Sequence, residues 1–298
     1  MNNKSAVLRN KVVVCSRRGE LGEAGRYCRF ILNENNDDVF AHANLANILF
    51  LQGKVEEAAV EFDRARQLAP GDVMIRSNQA LFLISRQKWD EAREALTDLL
   101  RIDPNYPPAY NLLGNIYFYQ GNFGAAKENY QKAVDLDQNL AEAWNNLGNI
   151  YGENNALDKA EEYYRKALAL NSANPSWNTN LGKVLLRQDK LEPALDCYLR
   201  AFKVSPGSEN IKKILVNIFT VLGIRCHKKG DFKPAAGYFA KAVEINPGDA
   251  GLYNMLAGIE LALQDYAEAH KWYVLCLKKC PGIDLSKYSY LRRLSQKP

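Results

Sequence analysis

Residues Ala141–Asn174 read AEAWNNLGNIYGENNALDKAEEYYRKALALNSAN, and the block before them, Pro107–Leu140, carries the same pattern over the same 34 residues. An aromatic (Trp144, Tyr110) is followed three residues on by Leu-Gly (Leu147-Gly148, Leu113-Gly114), and three beyond the glycine by a tyrosine (Tyr151, Tyr117). Alanine, tyrosine and alanine follow (Ala160, Tyr164, Ala167; Ala126, Tyr130, Ala133). At about 100° per residue, Trp144, Leu147, Gly148 and Tyr151 fall on one face of a helix, and Ala160, Tyr164 and Ala167 form the stripe of a second. Small residues let helices approach closely while aromatics fill the space between units. A two-helix hairpin cannot bury such stripes alone, so units of this kind have to stack.

The spacing resembles the tetratricopeptide repeat family, whose unit is a helix–turn–helix of 34 residues. Stepping outward in that unit places repeats at 5–38, 39–72, 73–106, 107–140, 141–174, 175–208, 216–249 and 250–283, with a cap at 284–298 and the whole of 1–298 as one array. The first repeat is the most degenerate: Lys11-Val12 replace Leu-Gly, and Cys15 and Cys28 stand at the tyrosine positions. Gly53, Gly121, Asn155 and Gly230, near position 15, suit the turn between helices. Proline at position 32 (Pro70, Pro104, Pro206, Pro247) ends the second helix. The resemblance implies an all-α fold, a right-handed superhelical solenoid of about eight helix–turn–helix repeats closed by a C-terminal capping helix, with first helices lining a concave groove.

Seven residues, Glu209–Leu215, fall outside the phase. Seven residues turn a helix by about 700°, within about 20° of two full turns. The spacing therefore predicts one long first helix from about Ile211 to Lys229, with Ile211, Ile214 or Leu215, Ile218 and Leu222 on one apolar face.

Hydrophobic residues make up 47% of the chain, and the six cysteines include no CxxC and no Cys/His pairing at zinc spacing. A reducing, cytoplasmic setting is the expectation. The longest apolar stretch, Ile214–Ile224, contains Asn217 and is too short to cross a membrane. The net charge of +5 gathers late, with 15 basic and 8 acidic residues from Lys203 onward. Acids interleave with those bases and aromatic platforms do not accompany them, which disfavours nucleic acid.

The three histidines, His42, His227 and His270, sit in no metal or nucleophile motif, and no P-loop, GxSxG or GxGxxG is present. No catalytic residue, cofactor or metal is expected. His42 stands at an aromatic core position and reads as a packing residue. Cys226, His227, Cys276 and Cys280 lack zinc spacing, and Cys226 and Cys276 fall at core positions.

Asparagine is the informative residue. Asn10, Asn44, Asn78, Asn146 and Asn180 share position 6; Asn47, Asn115 and Asn149 share position 9; Asn111, Asn145 and Asn254 share position 5. Position 6 lies opposite the core stripe, on the side that lines the groove in the resembled family. Asparagine is a mediocre helix former, but its carboxamide both donates to and accepts from a peptide backbone. The ladder resembles the groove of the O-linked N-acetylglucosamine transferase repeats, which implies an extended polypeptide held by Asn44, Asn47, Asn78, Asn111, Asn115, Asn145, Asn146, Asn149 and Asn180. Lys183 and Arg187 make the later groove basic. The family's clamp for a C-terminal carboxylate is disfavoured, since only Asn44 agrees among Arg9, Val13, Asn44, Met74 and Asn78. The expected function is a non-catalytic scaffold binding a protein or peptide partner, with self-association open. The alternative is the substrate-binding or regulatory arm of a larger enzyme such as a glycosyltransferase.

Overall fold

The structure, a computed structural model, describes residues 3–296; the two residues at each end of the expected array, Lys297 and Pro298 of the cap among them, lie outside the described residues. Among the described residues there are seventeen α-helices and no strand. They run in pairs: α1 (Asn3–Arg17) and α2 (Leu21–Glu34), α3 (Val39–Leu51) and α4 (Val55–Leu68), α5 (Val73–Ser85) and α6 (Trp89–Ile102), α7 (Pro107–Tyr119) and α8 (Phe123–Leu136). The pairs continue with α9 (Ala141–Glu153) and α10 (Leu157–Leu170), α11 (Pro175–Arg187) and α12 (Leu191–Val204), α13 (Glu209–Lys229) and α14 (Phe232–Ile245), α15 (Ala250–Ala262) and α16 (Tyr266–Lys279). A 3-10 turn (Leu285–Lys287) and α17 (Ser289–Ser295) close the chain. Residues up to Ala143 form one compact unit and those from Trp144 a second.

The repeated small residues do the work their spacing implies. In the first unit Ala24, Ala58, Ala92 and Ala126 are fully buried, and in the second so are Ala160, Ala194, Ala235 and Ala269. A Cβ on Gly148 would sit 2.7 Å from the Tyr164 ring, one on Gly182 2.7 Å from Tyr198, and one on Gly223 2.7 Å from Phe239. Gly114 meets Tyr130 in the same way in the first unit. The Leu-Gly signature thus marks a ring laid flat on bare backbone, sixteen residues downstream in every case.

Position 15 is left-handed in all eight repeats. The glycines Gly19, Gly53, Gly121 and Gly230 take φ of 74°, 76°, 76° and 84° there, and Asn155 takes 59°. Gln87, Asp189 and Gln264 adopt 57°, 61° and 61° at the same place, where their Cβ atoms are disfavoured. Position 34 supplies N-caps to first helices: Asp38 accepts from the Ala41 amide, Asp72 from Met74 and Ile75, Asn174 from Ser176 and Trp177, Ser208 from Ile211, and Asp249 from Gly251.

Position 4, expected to be an aromatic packing site, packs ring against ring in some repeats and in five of the eight also makes the same hydrogen bond. His42 Nε2 lies 2.8 Å from the Asn36 carbonyl, Arg76 Nε donates to Pro70 at 2.7 Å, and Tyr110 Oη donates to Pro104 at 2.9 Å. Asn178 Nδ2 donates to Ser172 at 2.9 Å and Tyr253 Oη to Pro247 at 3.1 Å. Each acceptor is the carbonyl six residues back, in the turn that ends the preceding repeat. Four different side chains fit because a donor of the right reach satisfies that otherwise orphaned carbonyl. His42 Nδ1 also lies 2.5 Å from Glu61 Oε2, so this buried residue is more than packing.

The long helix expected over Ile211–Lys229 is present as α13, one unbroken helix of 21 residues. Its buried face is Ile211, Leu215, Ile218, Phe219, Leu222 and Gly223. Leu215 rather than Ile214 is the fully buried residue of that pair. The cap differs from the single helix its leucine spacing suggested. Asp284 Oδ1 accepts from the Ser286 amide at 3.1 Å and hydroxyl at 2.6 Å, which closes a tight turn before the helix proper begins at Ser289. Leu291 and Leu294 are buried on it, whereas Leu285 and Tyr288 are half-buried.

Candidate functional site

The asparagines divide between the two units and into three structural kinds. In the first unit, Asn44 Nδ2 donates back to the Phe40 carbonyl of its own helix at 2.8 Å. Asn111 is buried, not presented on an open face. Asn115 Oδ1 accepts the Tyr130 hydroxyl at 2.9 Å. Asn47 on α3 and Asn78 on α5 are half-buried, and neither carboxamide is engaged among the described residues. The same two helices carry Leu51 and Met74, 66% and 65% exposed, with Leu81 also exposed, and on α7 the 68% exposed Tyr119 is stacked on Trp89 with centroids 5.6 Å apart. Phe50 is turned the other way, edge-on to Phe82 with centroids 5.5 Å apart.

In the second unit the asparagines bond to one another. Asn180 Nδ2 on α11 reaches Asn145 Oδ1 at 3.2 Å and Asn149 Oδ1 at 3.3 Å on α9. Asn145, itself buried, donates to Asn146 Oδ1 at 3.4 Å. Asn149 Oδ1 also accepts the Tyr164 hydroxyl at 2.7 Å. Arg187 is tied down by the Gly152 carbonyl at 3.0 Å and Asn155 Oδ1 at 2.9 Å. Lys183 is exposed beside Ser176, Thr179 and Asn180 in a hollow of about 350 Å³. The ladder that periodicity picked out is therefore, in this unit, a bracket between adjacent first helices.

Asn254 shows a third use that spacing alone did not signal. Its Oδ1 on α15 accepts two backbone amides from the start of α17, Tyr290 N at 3.0 Å and Leu291 N at 3.4 Å. The Tyr290 ring then lies over Gly258, where a Cβ would come within 2.6 Å of it. A carboxamide on a first helix thus already holds a passing stretch of backbone in this molecule.

Among the described residues no group of three or more His, Cys, Asp or Glu side chains converges on a metal-sized site, and no helix is long and apolar enough to cross a membrane. Burial pushes the Cys28 and Cys276 thiols up to about 12, which keeps them protonated and unreactive.

Family models described as tetratricopeptide repeat match residues 17–73, 49–116, 141–174 and 228–282, and one described as TPR repeat matches 114–155. The chain belongs to the tetratricopeptide repeat family. Within it, a 108-residue stretch is 29% identical to an inactive TPR repeat-containing thioredoxin, TTL3, of Arabidopsis thaliana, covering 36% of this chain and 15% of that protein. A 98-residue stretch is 33% identical to a STIP1 homolog of Dictyostelium discoideum, covering 30% and 17%. An 88-residue stretch is 30% identical to an Hsp70-Hsp90 organizing protein of Triticum aestivum, covering 30% and 15%. The chain thus matches less than a fifth of the length of these tetratricopeptide relatives. Among solved structures, Pseudomonas aeruginosa PilF superposes with a TM-score of 0.55 at 19% identity over 75% of this chain and 97% of that one. The anaphase-promoting-complex assembly Cut9-Hcn1 gives 0.51 at 17% identity over 92% and 52%. These likenesses are likenesses of fold.

Proposed function

We propose that the chain is a non-catalytic scaffold that holds a segment of a partner polypeptide on the first-helix face of its first unit. The observation that carries this reading is the pair of unengaged carboxamides, Asn47 and Asn78, on two first helices that also expose Leu51, Met74 and Leu81. Asn44, Asn115, Asn145, Asn146, Asn149 and Asn180 are spent on their own helix, a tyrosine or another asparagine, whereas Asn47 and Asn78 retain both donor and acceptor for a peptide bond. Asn254, which accepts two backbone amides of α17, supports the chemistry from within the same chain. The apolar neighbours suit alternate side chains of an amphipathic segment, in the manner of groove recognition by helical surfaces.

Relatives named for Hsp70 and Hsp90 organisation favour a protein partner, but a terminal carboxylate is not the feature recognised here. The asparagine pair lacks flanking cations, since Ala43, Pro108 and Leu112 stand at the positions where the family's clamp carries Lys, Lys and Arg. Backbone and apolar contacts then carry affinity, and raised salt should weaken binding little. The test is affinity capture on the immobilised chain and on a variant carrying Asn47→Ala and Asn78→Ala, followed by calorimetry on the captured partner. Each lost hydrogen bond should cost about 0.5–1.5 kcal/mol. Equal affinity of the two folded proteins would reject the site.

A further inference from the structure

In three repeats the residue at position 4 of the first helix and the residue at position 23 of the second lie ring against ring. Trp144 and Tyr163 are 5.7 Å apart and nearly parallel, Phe219 and Tyr238 are 6.3 Å apart, and Tyr253 and Trp272 are 6.4 Å apart. Tyr163 is also stacked on Tyr151 at 5.1 Å, so its ring is sandwiched, with Lys166 above it. The other five repeats lack a ring pair at these positions, and two of them carry Arg76 with Ala95, and Asn178 with Cys197. Cavities open in both, of about 500 Å³ against Ala95 and about 340 Å³ against Cys197. They are lined from the same repeat positions, so they are one inter-repeat slot left unfilled twice.

We infer that the larger slot, between α4, α5 and α6, is a second binding site that receives an aromatic side chain of a partner polypeptide. Phe62, Phe82 and Leu83 line it together with Asp63, Gln79 and Asp98, and Ala95 stands where Tyr163 does in the filled repeat. Arg76 stands where Trp144 does. Its guanidinium is half-buried, lines the slot and is tethered through Nε to the Pro70 carbonyl. A planar cation held in that way stacks on an aromatic face and takes the place of the missing partner ring. Three of the chain's other repeats place an aromatic pair at these two positions, which is why the occupant is assigned as a ring.

The mouth is rimmed by exposed Glu56, Glu91 and Glu94, with Arg86 3.9 Å from Glu56 and Lys88 2.9 Å from Glu91. No side-chain polar atom lining the slot is buried without a hydrogen bond among the described residues. Asp63 is paired with Gln79 and Arg66, and Asp98 with Arg101, so a free small molecule finds the slot's polar groups already engaged. A ring delivered on a polypeptide needs none, because its backbone stays outside among the rim charges, as an aromatic anchor does in protein interfaces. The slot lies apart from Asn47 and Asn78, so this inference stands independently of the first-helix reading.

The experiment is a titration of the full chain followed by methyl NMR at Ala59, Leu83 and Ala95. The probes are a short Gly/Ser peptide carrying one Trp, the same peptide carrying Leu, and N-acetyl-tryptophanamide. The Trp peptide should shift those methyls saturably and bind about tenfold more tightly than the Leu peptide. Ala95→Tyr, which places the chain's own ring in the slot, should abolish the shifts. Arg76→Lys keeps a donor and the charge but not the plane; it should weaken the Trp peptide severalfold with the helical circular dichroism unchanged, and it decides the matter if Ala95→Tyr does not fold. Indistinguishable Trp and Leu peptides, or full affinity in folded Arg76→Lys, would overturn the site. The free amide binding as tightly as the peptide would overturn the polypeptide as its source.

Discussion

The hydroxyl of Tyr164 donates to Asn149 Oδ1 across 2.7 Å, and Tyr130 does the same to Asn115 across 2.9 Å, fifteen residues separating the partners in each case. In the next repeat Lys183 stands in place of the asparagine, and the buried hydroxyl of Tyr198 has no hydrogen-bond partner. Burial pushes that hydroxyl up to about 12. Tyr164→Phe should therefore cost about 1 kcal/mol in a denaturant titration, while Tyr198→Phe should be neutral or stabilising, since it removes an unsatisfied buried group. Equal losses in the two variants would refute the difference.

Glycines on the helices should split by what faces them. Gly148→Ala drives a methyl into the Tyr164 ring and should destabilise by about 1–3 kcal/mol. Gly237→Ala, on α14, meets nothing within 4 Å and should stabilise by about 0.5–1 kcal/mol through lower unfolded-chain entropy. Midpoint shifts of opposite sign are the expected result.

Of the four left-handed residues that are not glycine, the two glutamines hold avoidable strain. Gln87→Gly and Gln264→Gly, at φ of 57° and 61°, should each raise stability by about 1 kcal/mol despite glycine's entropy cost elsewhere. A lower melting temperature for both would show that their side chains contribute more than the backbone loses.

Glu161 should contribute to the acid sensitivity of the second unit. Burial opposes its charge, but Lys190 at 2.7 Å and Arg165 at 2.6 Å outweigh that and hold the carboxyl below the usual glutamate range. A depressed folded pKa means stability that is complete above the unfolded value of about 4.3 and is lost as pH falls through the folded one. Wild type and Glu161→Gln should therefore differ most near neutrality and converge in acid. A gap that persists unchanged below about pH 3 would contradict the linkage.

These residues also show where the sequence was readable and where it was not. The helix pairs and the continuous α13 follow from periodicity, because burying a stripe needs residues at fixed angles whatever their neighbours do. Gly53, Gly121, Asn155 and Gly230 announced their turns by preference, but Gln87 and Gln264 have no such preference and are held there by the flanking helices. The ladder's spacing was legible; its division was not, since each carboxamide's partner sits on another element. Asn115 and Asn149 could have been told apart from Asn47 by the tyrosine fifteen residues on, which Asn47 lacks, having Phe62 there instead. The four aromatics at position 4, Tyr110, Trp144, Phe219 and Tyr253, hid a second use of the site: His42, Arg76 and Asn178 share with Tyr110 and Tyr253 only a donor and a distance.

That donor points backward along the chain, and this gives the array a direction in time. The carbonyls of Asn36, Pro70, Pro104, Ser172 and Pro247 each wait for a side chain six residues further on. During synthesis, which delivers the chain from its N-terminus, the last turn of a repeat stays unlatched until the opening turn of its successor has left the ribosome. Each of those five first helices, as it emerges, then locks the turn made before it, and a chain stalled just short of one carries an open latch at its growing end.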